Sequence, residues 1–255
     1  MIKALSRTSV DLKTTEVISS LLQILNTKKA RYNDKVETLE KEYARLIGVK
    51  EAVAFPYSRT GTYYALMALE LQEGDEVIMP AFTFWVDAAM VVMAGLKPVF
   101  VDVNFETQSI DTALIENAIT PRTKVIYPTH LNGLPADMDQ IMKIAKKHDL
   151  RVMEDCARSC GATYNDKRIG SFDIGSFSFG YGKSFYGFGG AMVTSDDAAF
   201  IKKLRDLKKD FKHISLKNIC IQTLKGSLLK YLNISYFYRF SIFPMVYKFQ
   251  VEGKE

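Results

Sequence analysis

Between about residues 50 and 210 the chain alternates short apolar runs with stretches whose apolar residues recur at helical spacing. The runs are EAVAFPY, DEVIMPAF, KPVFVDV, KVIYPTHL, LRVMEDCA, GSFSFG and GAMVTSD. Between them lie segments such as ADMDQIMKIAKKHD, where Met138, Ile141, Met142 and Ile144 fall on one face of a helix. Strand and helix in repeated alternation predict a mainly parallel sheet covered on both faces. Ligands of such sheets bind beyond the carboxyl ends of the strands. The residues that follow the runs are therefore the ones to examine: Ser58, Arg59 and Thr60; Phe82, Thr83 and Phe84; His130; Asp155 to Arg158; and Ser178 to Lys183.

Two helices precede this region, VDLKTTEVISSLLQIL and NDKVETLEKEYARLIG, the second with Asn33 as its expected N-cap and Gly48 as its stop. The expected organisation is an N-terminal helical arm over residues 1–30, a large domain over 31–210 and a basic, aromatic tail over 211–255. The formal charge of +5 belongs to the tail, since residues 211–251 hold six Lys or Arg and no acid. Packing of the tail aromatics on the large domain or at a dimer interface is expected ahead of contact with an anionic membrane surface. No secretory leader and no run of 18 apolar residues is found, so a cytoplasmic location is expected. Three cysteines without a CxxC pair and three scattered histidines support neither a disulfide framework nor a zinc site. No nucleic-acid partner is expected.

The candidate chemistry centres on Lys183, set among aromatic and glycine residues in SFSFGYGKSFYGFGGAMV. Poor solvation of an ammonium there lowers its pKa and frees the amine to condense with an aldehyde. Asp155 ends a strand that reads as buried, where a carboxylate requires a partner; an N-cap for the following turn is the structural alternative. An amine that forms a Schiff base and an acid that holds a ring nitrogen protonated are together the arrangement expected for pyridoxal 5′-phosphate. In FPYSRTGTYYALMAL a strand passes through Ser58, Arg59, Thr60 and Gly61 into a helix, so free backbone amides there suit the cofactor's phosphate, with the Ser178 hydroxyl as a further donor. The alternative for Thr60 is a simple helix cap. Phe84 is placed to stack on a flat ring, with core packing as its alternative. The GKS at 182–184 does not complete a P-loop, which needs glycine where Phe177 stands.

The series GDEVIMPAFTF, GLKPVFVDVNFETQSID, ITPRTKVIYPTHLNGLPADMD, VMEDCARSCGATYNDKRIGSFDIGSFSF and GKSFYGFGGAMVTSDD resembles, in order from about residue 30 to 210, the DegT/DnrJ family of nucleotide-sugar aminotransferases. The resemblance implies the three-layer α/β/α large domain of PLP-dependent transferases (fold type I) around a mainly parallel sheet. It implies that Lys183 binds the cofactor covalently and shuttles the proton, that Asp155 partners the pyridine nitrogen and that Phe84 stacks on the ring. The backbone at Arg59 and Thr60, with Ser178, would hold the phosphate. The reaction implied moves an amino group, usually from glutamate, to a keto group of a nucleotide-linked sugar for surface polysaccharide or modified-sugar synthesis, in a homodimer. Arg158 stands where the family usually has Gln or His near the cofactor's phenolic oxygen, and its permanent charge would favour the phenolate. The family's small C-terminal domain is not recognisable here, and a truncated homologue serving as a non-catalytic partner subunit is the alternative expectation.

Overall fold

The computed structural model describes residues 34–180, 182–187, 189–209, 211 and 216–232, together with Thr14, Thr15, Ile18, Ser19 and Leu22. All seven apolar runs form strands: β1 (Glu51–Phe55), β2 (Glu76–Pro80), β3 (Lys97–Val101), β4 (Thr123–Ile126), β5 (Arg151–Asp155), β8 (Ile174–Ser178) and β9 (Ala191–Ser195). A short hairpin, β6 (Thr163–Tyr164) and β7 (Lys167–Arg168), lies between β5 and β8. The helices are α1 (Asp34–Ile47), α2 (Ser58–Ala68), α3 (Trp85–Met93), α4 (Thr112–Ile115), α5 (Met138–Lys147), α6 (Ala198–Lys208) and α7 (Leu216–Leu232). The sheet runs β1-β9-β8-β5-β4-β2-β3, parallel from β8 to β3, with β9 antiparallel to both of its neighbours.

The period of two along each strand divides the apolar residues between two cores. Val53, Val77, Met79, Val125, Met153 and Val193 face one side, where Ala65 and Leu66 of α2, Val91 of α3 and Leu204 of α6 cover them. Ile78, Ile126 and Val152 face the other, under Met138, Ile141 and Ile144 of α5. Ala52, Phe177 and Met192 meet Tyr43, Ala44 and Ile47 of α1. This is the three-layer arrangement expected from the sequence.

Helix α1 stops where expected: Gly48 takes φ of 84°, and the amides of Gly48 and Val49 both bond to the Ala44 carbonyl, at 2.9 and 3.0 Å. Its expected N-cap, Asn33, lies outside the described residues. Helix α5 begins at Asp137, whose side chain accepts from the Gln140 amide. The hairpin β6–β7 was not legible from apolar periodicity, because each strand has two residues. Its turn is made by Asn165 and Asp166, both at positive φ, as a two-residue type I′ connection requires.

Contacts divide the chain into two units. One, Asn33–Phe179 with Gly190–Phe211, carries the sheet; the other comprises Met1–Tyr32, Gly180–Gly189 and Lys212–Glu255. In the second unit the described part is α7, the segment that holds Lys183, and five positions of the arm, all of them helical. The tail beyond residue 232 lies outside the described residues. No described helix is long and apolar enough to cross a membrane.

The tightest approach in the sheet is at Gly175 of β8. A Cβ there would lie 2.4 Å from Thr194 Oγ1 and 2.6 Å from the Gly170 Cα. Backbone cannot yield as a flexible side chain does, so Gly175→Ala is expected to destabilise the fold by about 1–3 kcal/mol, read as a lowered midpoint in thermal unfolding.

Candidate active site

The strand directions place the carboxyl ends of β1, β8, β5, β4 and β2 at one edge of the sheet. Asp155 closes β5 there and is buried, with 7 % of its surface exposed. Its amide bonds to the Pro128 carbonyl and its own carbonyl accepts from His130 N, so the backbone is held from the β4 side. The side chain shares its face with Met153, the α2 and α3 side of the sheet. One oxygen, Oδ1, accepts from the Ala157 amide at 2.9 Å. The capping role considered for Asp155 is therefore real, and it orients the carboxylate.

At the end of β1 the chain enters α2 through Tyr57, the N-cap residue, which makes no side-chain cap bond. Thr60 is thus not the cap. The first backward bond of the helix is from Gly61 N to Tyr57 O, at 3.0 Å, so the amides of Ser58, Arg59 and Thr60 precede it and have no acceptor within the helix. Such a terminus is suited to an anion. The Arg59 guanidinium adds positive charge, lying over the Tyr57 ring at 4.8 Å. Gly61 lets this turn sit close on the sheet: a Cβ there would meet Val193 Cγ2 at 3.0 Å.

Behind these two features runs a buried polar chain absent from the sequence reading. Thr62 Oγ1 lies 3.2 Å from Ser176 Oγ and 3.3 Å from the Tyr127 hydroxyl, which donates to Asp87 Oδ1 at 3.2 Å. All four residues are buried. Burial, with the nearby carboxylates of Asp87 and Asp155 adding to it, pushes the Tyr127 phenol well above its ordinary pKa, so it stays a donor. The available signals were an acid in the apolar stretch WVDAAMVVM and the period-two spacing of Ser176 and Ser178. Alongside, Thr83 and Thr129 join the exits of β2 and β4 through their hydroxyls, 2.7 Å apart.

His130 turns away from chemistry. Its Nδ1 accepts from Ala136 N at 3.0 Å, which leaves Nε2 to donate to Glu154 Oε2 at 3.1 Å. Glu154 also accepts from the amides of Gly170 and Phe172. His130, Glu154 and Cys156 bring potential ligand atoms within 4.8 Å of one another. The imidazole and carboxylate already have these partners, and burial with the nearby Glu154 and Asp155 carboxylates pushes the Cys156 thiol well above its ordinary pKa, away from the thiolate a metal would need. The contacts of the imidazole and the carboxylate are those of a buried structural cluster.

Phe84 is 54 % exposed, which removes core packing as its role; its ring tilts against Trp85 with centroids 6.1 Å apart. Ser178, the last residue of β8, shares a strand face with Ser176. Arg158 is exposed, three residues past the end of β5. Lys183 lies in the segment joining β8 to β9, with its amide bonded to the Gly180 carbonyl at 3.3 Å; that segment belongs to the second unit. Asp155, Arg59, Thr60, Ser178 and Phe84 all belong to the unit that carries the sheet.

A model of the DegT/DnrJ/EryC1/StrS aminotransferase family matches residues 12–219. The UDP-N-acetyl-3-dehydro-alpha-D-glucosamine 3-aminotransferase of Acidithiobacillus ferrooxidans is 46 % identical over 195 residues, 76 % of this chain and 53 % of that protein. Among solved structures, Bacillus subtilis NtdA with bound cofactor PMP superposes with a TM-score of 0.74 at 29 % identity, covering 98 % of this chain and 60 % of that one. DesI, solved in the presence of its TDP-sugar product, gives 0.74 at 27 %, covering 89 % and 62 %. The chain spans about half the length of the curated relatives it matches.

The buried trio yields a direct check. In the native protein Cys156 is expected to resist iodoacetamide at mildly alkaline pH and to react only after unfolding in guanidinium, as read by peptide mass. Added zinc is expected to leave the thermal midpoint unchanged.

Proposed function

The chain belongs to the DegT/DnrJ/EryC1/StrS aminotransferase family, and from that premise we propose that it acts as a pyridoxal-phosphate-dependent aminotransferase on a nucleotide-linked keto-sugar. The observation that carries this reading is a buried carboxylate, Asp155, at the same sheet edge as the open amide terminus of α2. An anion site and a buried acid at one edge suit a molecule with a phosphate arm and a ring nitrogen that takes a proton. Pyridoxal phosphate has both, and it supplies an aldehyde and an electron-withdrawing ring when bound.

The chain's own groups divide the work. The amides of Arg59 and Thr60, with the Ser178 hydroxyl, would bind the phosphate. Asp155, oriented by the Ala157 amide, would hold a proton on the ring nitrogen. Phe84, exposed at the entry to α3, would cover one face of the ring, and Arg158 would donate to the phenolic oxygen. Lys183 Nζ would hold the cofactor covalently and carry the proton during amino transfer. Glutamate is proposed as the amino donor and an amino sugar for a surface polysaccharide as the product. The printed substrates of the Acidithiobacillus ferrooxidans relative and of DesI support the nucleotide-sugar class.

A homodimer is proposed as well, since Phe82, Trp85, Val92 and Met93 of α3 and its approach are each more than half exposed. Light scattering on the purified chain should then give twice the chain mass, and a monomer at all concentrations would discard the dimer.

Purified protein incubated with pyridoxal phosphate should gain a visible absorption band, and borohydride should fix a pyridoxyl group on the peptide containing Lys183. Lys183→Ala should abolish that label. Asp155→Asn should weaken cofactor affinity about tenfold to a hundredfold, the scale of a lost hydrogen bond to a charged group. A chain that takes up no cofactor would refute the reading.

A further inference from the structure

The proposed function makes no use of Asp87. It sits in the first turn of α3, within the otherwise apolar WVDAAMVVM, with 6 % of its surface exposed. A buried carboxylate is costly unless donors and positive potential meet it. Asp87 has the Tyr127 hydroxyl at 3.2 Å and the N-terminal turn of α3. From Tyr127 the polar chain continues through Thr62 to Ser176, which is the register partner of Asp155 on the adjacent strand. The Tyr127 phenol feels both carboxylates, Asp87 first and Asp155 second among the charges near it.

Two buried acids, Asp87 and Asp155, thus lie on the α2 and α3 face of the sheet. A cation placed against Asp155 interacts favourably with both, whereas a neutral ring gains nothing from the second. Resting on the cofactor reading above, we propose that Asp87 is a positioning residue: a second buried negative charge which, through the Tyr127 hydroxyl, makes the site prefer a ring protonated at nitrogen over an uncharged ring of the same shape. The Thr62 to Ser176 part of the chain would fix the distance at which this charge acts, because it joins α2, β8 and the Tyr127 ring in one set of hydrogen bonds.

The test compares two ligands on the full chain. Equilibrium dialysis measures the affinity for pyridoxal 5′-phosphate and for its 1-deaza analogue, in which a C–H replaces the ring nitrogen and no charge can form there. Asp87→Asn is expected to lower the affinity for pyridoxal phosphate about tenfold, equivalent to one unit of proton affinity, and to leave that for the analogue within about twofold. Asp87→Glu, which keeps the charge, should restore most of the preference. Tyr127→Phe removes the hydrogen bond that holds the Asp87 carboxylate in place, so it should move the ratio in the same direction by about threefold; it also serves if the first variant does not fold. Equal weakening toward both ligands would assign Asp87 to packing and overturn the proposal, as would no change toward either. If the unsubstituted chain binds the analogue and pyridoxal phosphate equally well, the proposal fails while the cofactor reading stands. If it binds neither, both fail.

Discussion

A carboxylate with no exposed surface has to be met by donors on every side, and the end of β5 is organised around one. Glu154 receives the amides of Gly170 and Phe172 and the Nε2 proton of His130, so three donors from two separate segments converge on a single side chain. Removal of the carboxylate would leave all three donors without this acceptor. Because side chains alternate along a strand, fixing Glu154 on one face of β5 fixes Asp155 on the other. The acid proposed to meet the cofactor is thus aimed by its neighbour, which never leaves the interior.

The layer on the opposite face shows the same economy. Apolar residues of the sheet meet α2, α3 and α6 over most of that face, yet at the carboxyl edge the packing gives way to hydroxyls and carboxylates: Thr62, Ser176, Tyr127 and Asp87. A buried polar chain specifies geometry where an apolar cluster would accept several packings. It occurs where α2 and α3 begin, the two helix starts nearest to Arg59, Thr60 and Phe84.

Much of this was legible in the order of residues. Seven apolar runs gave seven strands because a buried parallel strand needs little more than length and apolar character. The strand ends then pointed to Asp155, Ser178, Thr60 and Phe84 through the general rule for open α/β sheets. Pairwise meetings were not legible. Nothing in the sequence says that Thr62 and Ser176, 114 positions apart, share a hydrogen bond, or that His130 is bound on both nitrogens. Such facts depend on helix placement over the sheet to within an ångström, which apolar periodicity does not encode. The hairpin at Asn165 and Asp166 escaped for another reason: its strands are too short to show a period, and only the turn residues mark it.

One strand of the sheet runs against the rest, and that reversal matters for the lysine. A parallel step needs a helical crossover, but β8 and β9 lie side by side in opposite directions, so the chain between them is a loop that leaves and returns at the same edge. Phe179 N bonds to Gly190 O at 2.9 Å and closes its base. The ladder thus bears the entropy of loop closure, and the residues from 180 to 189 can vary in length or composition with little penalty to the sheet. The chemistry proposed for Lys183 would then be carried on a segment that can diverge among descendants of one scaffold while the scaffold itself stays fixed.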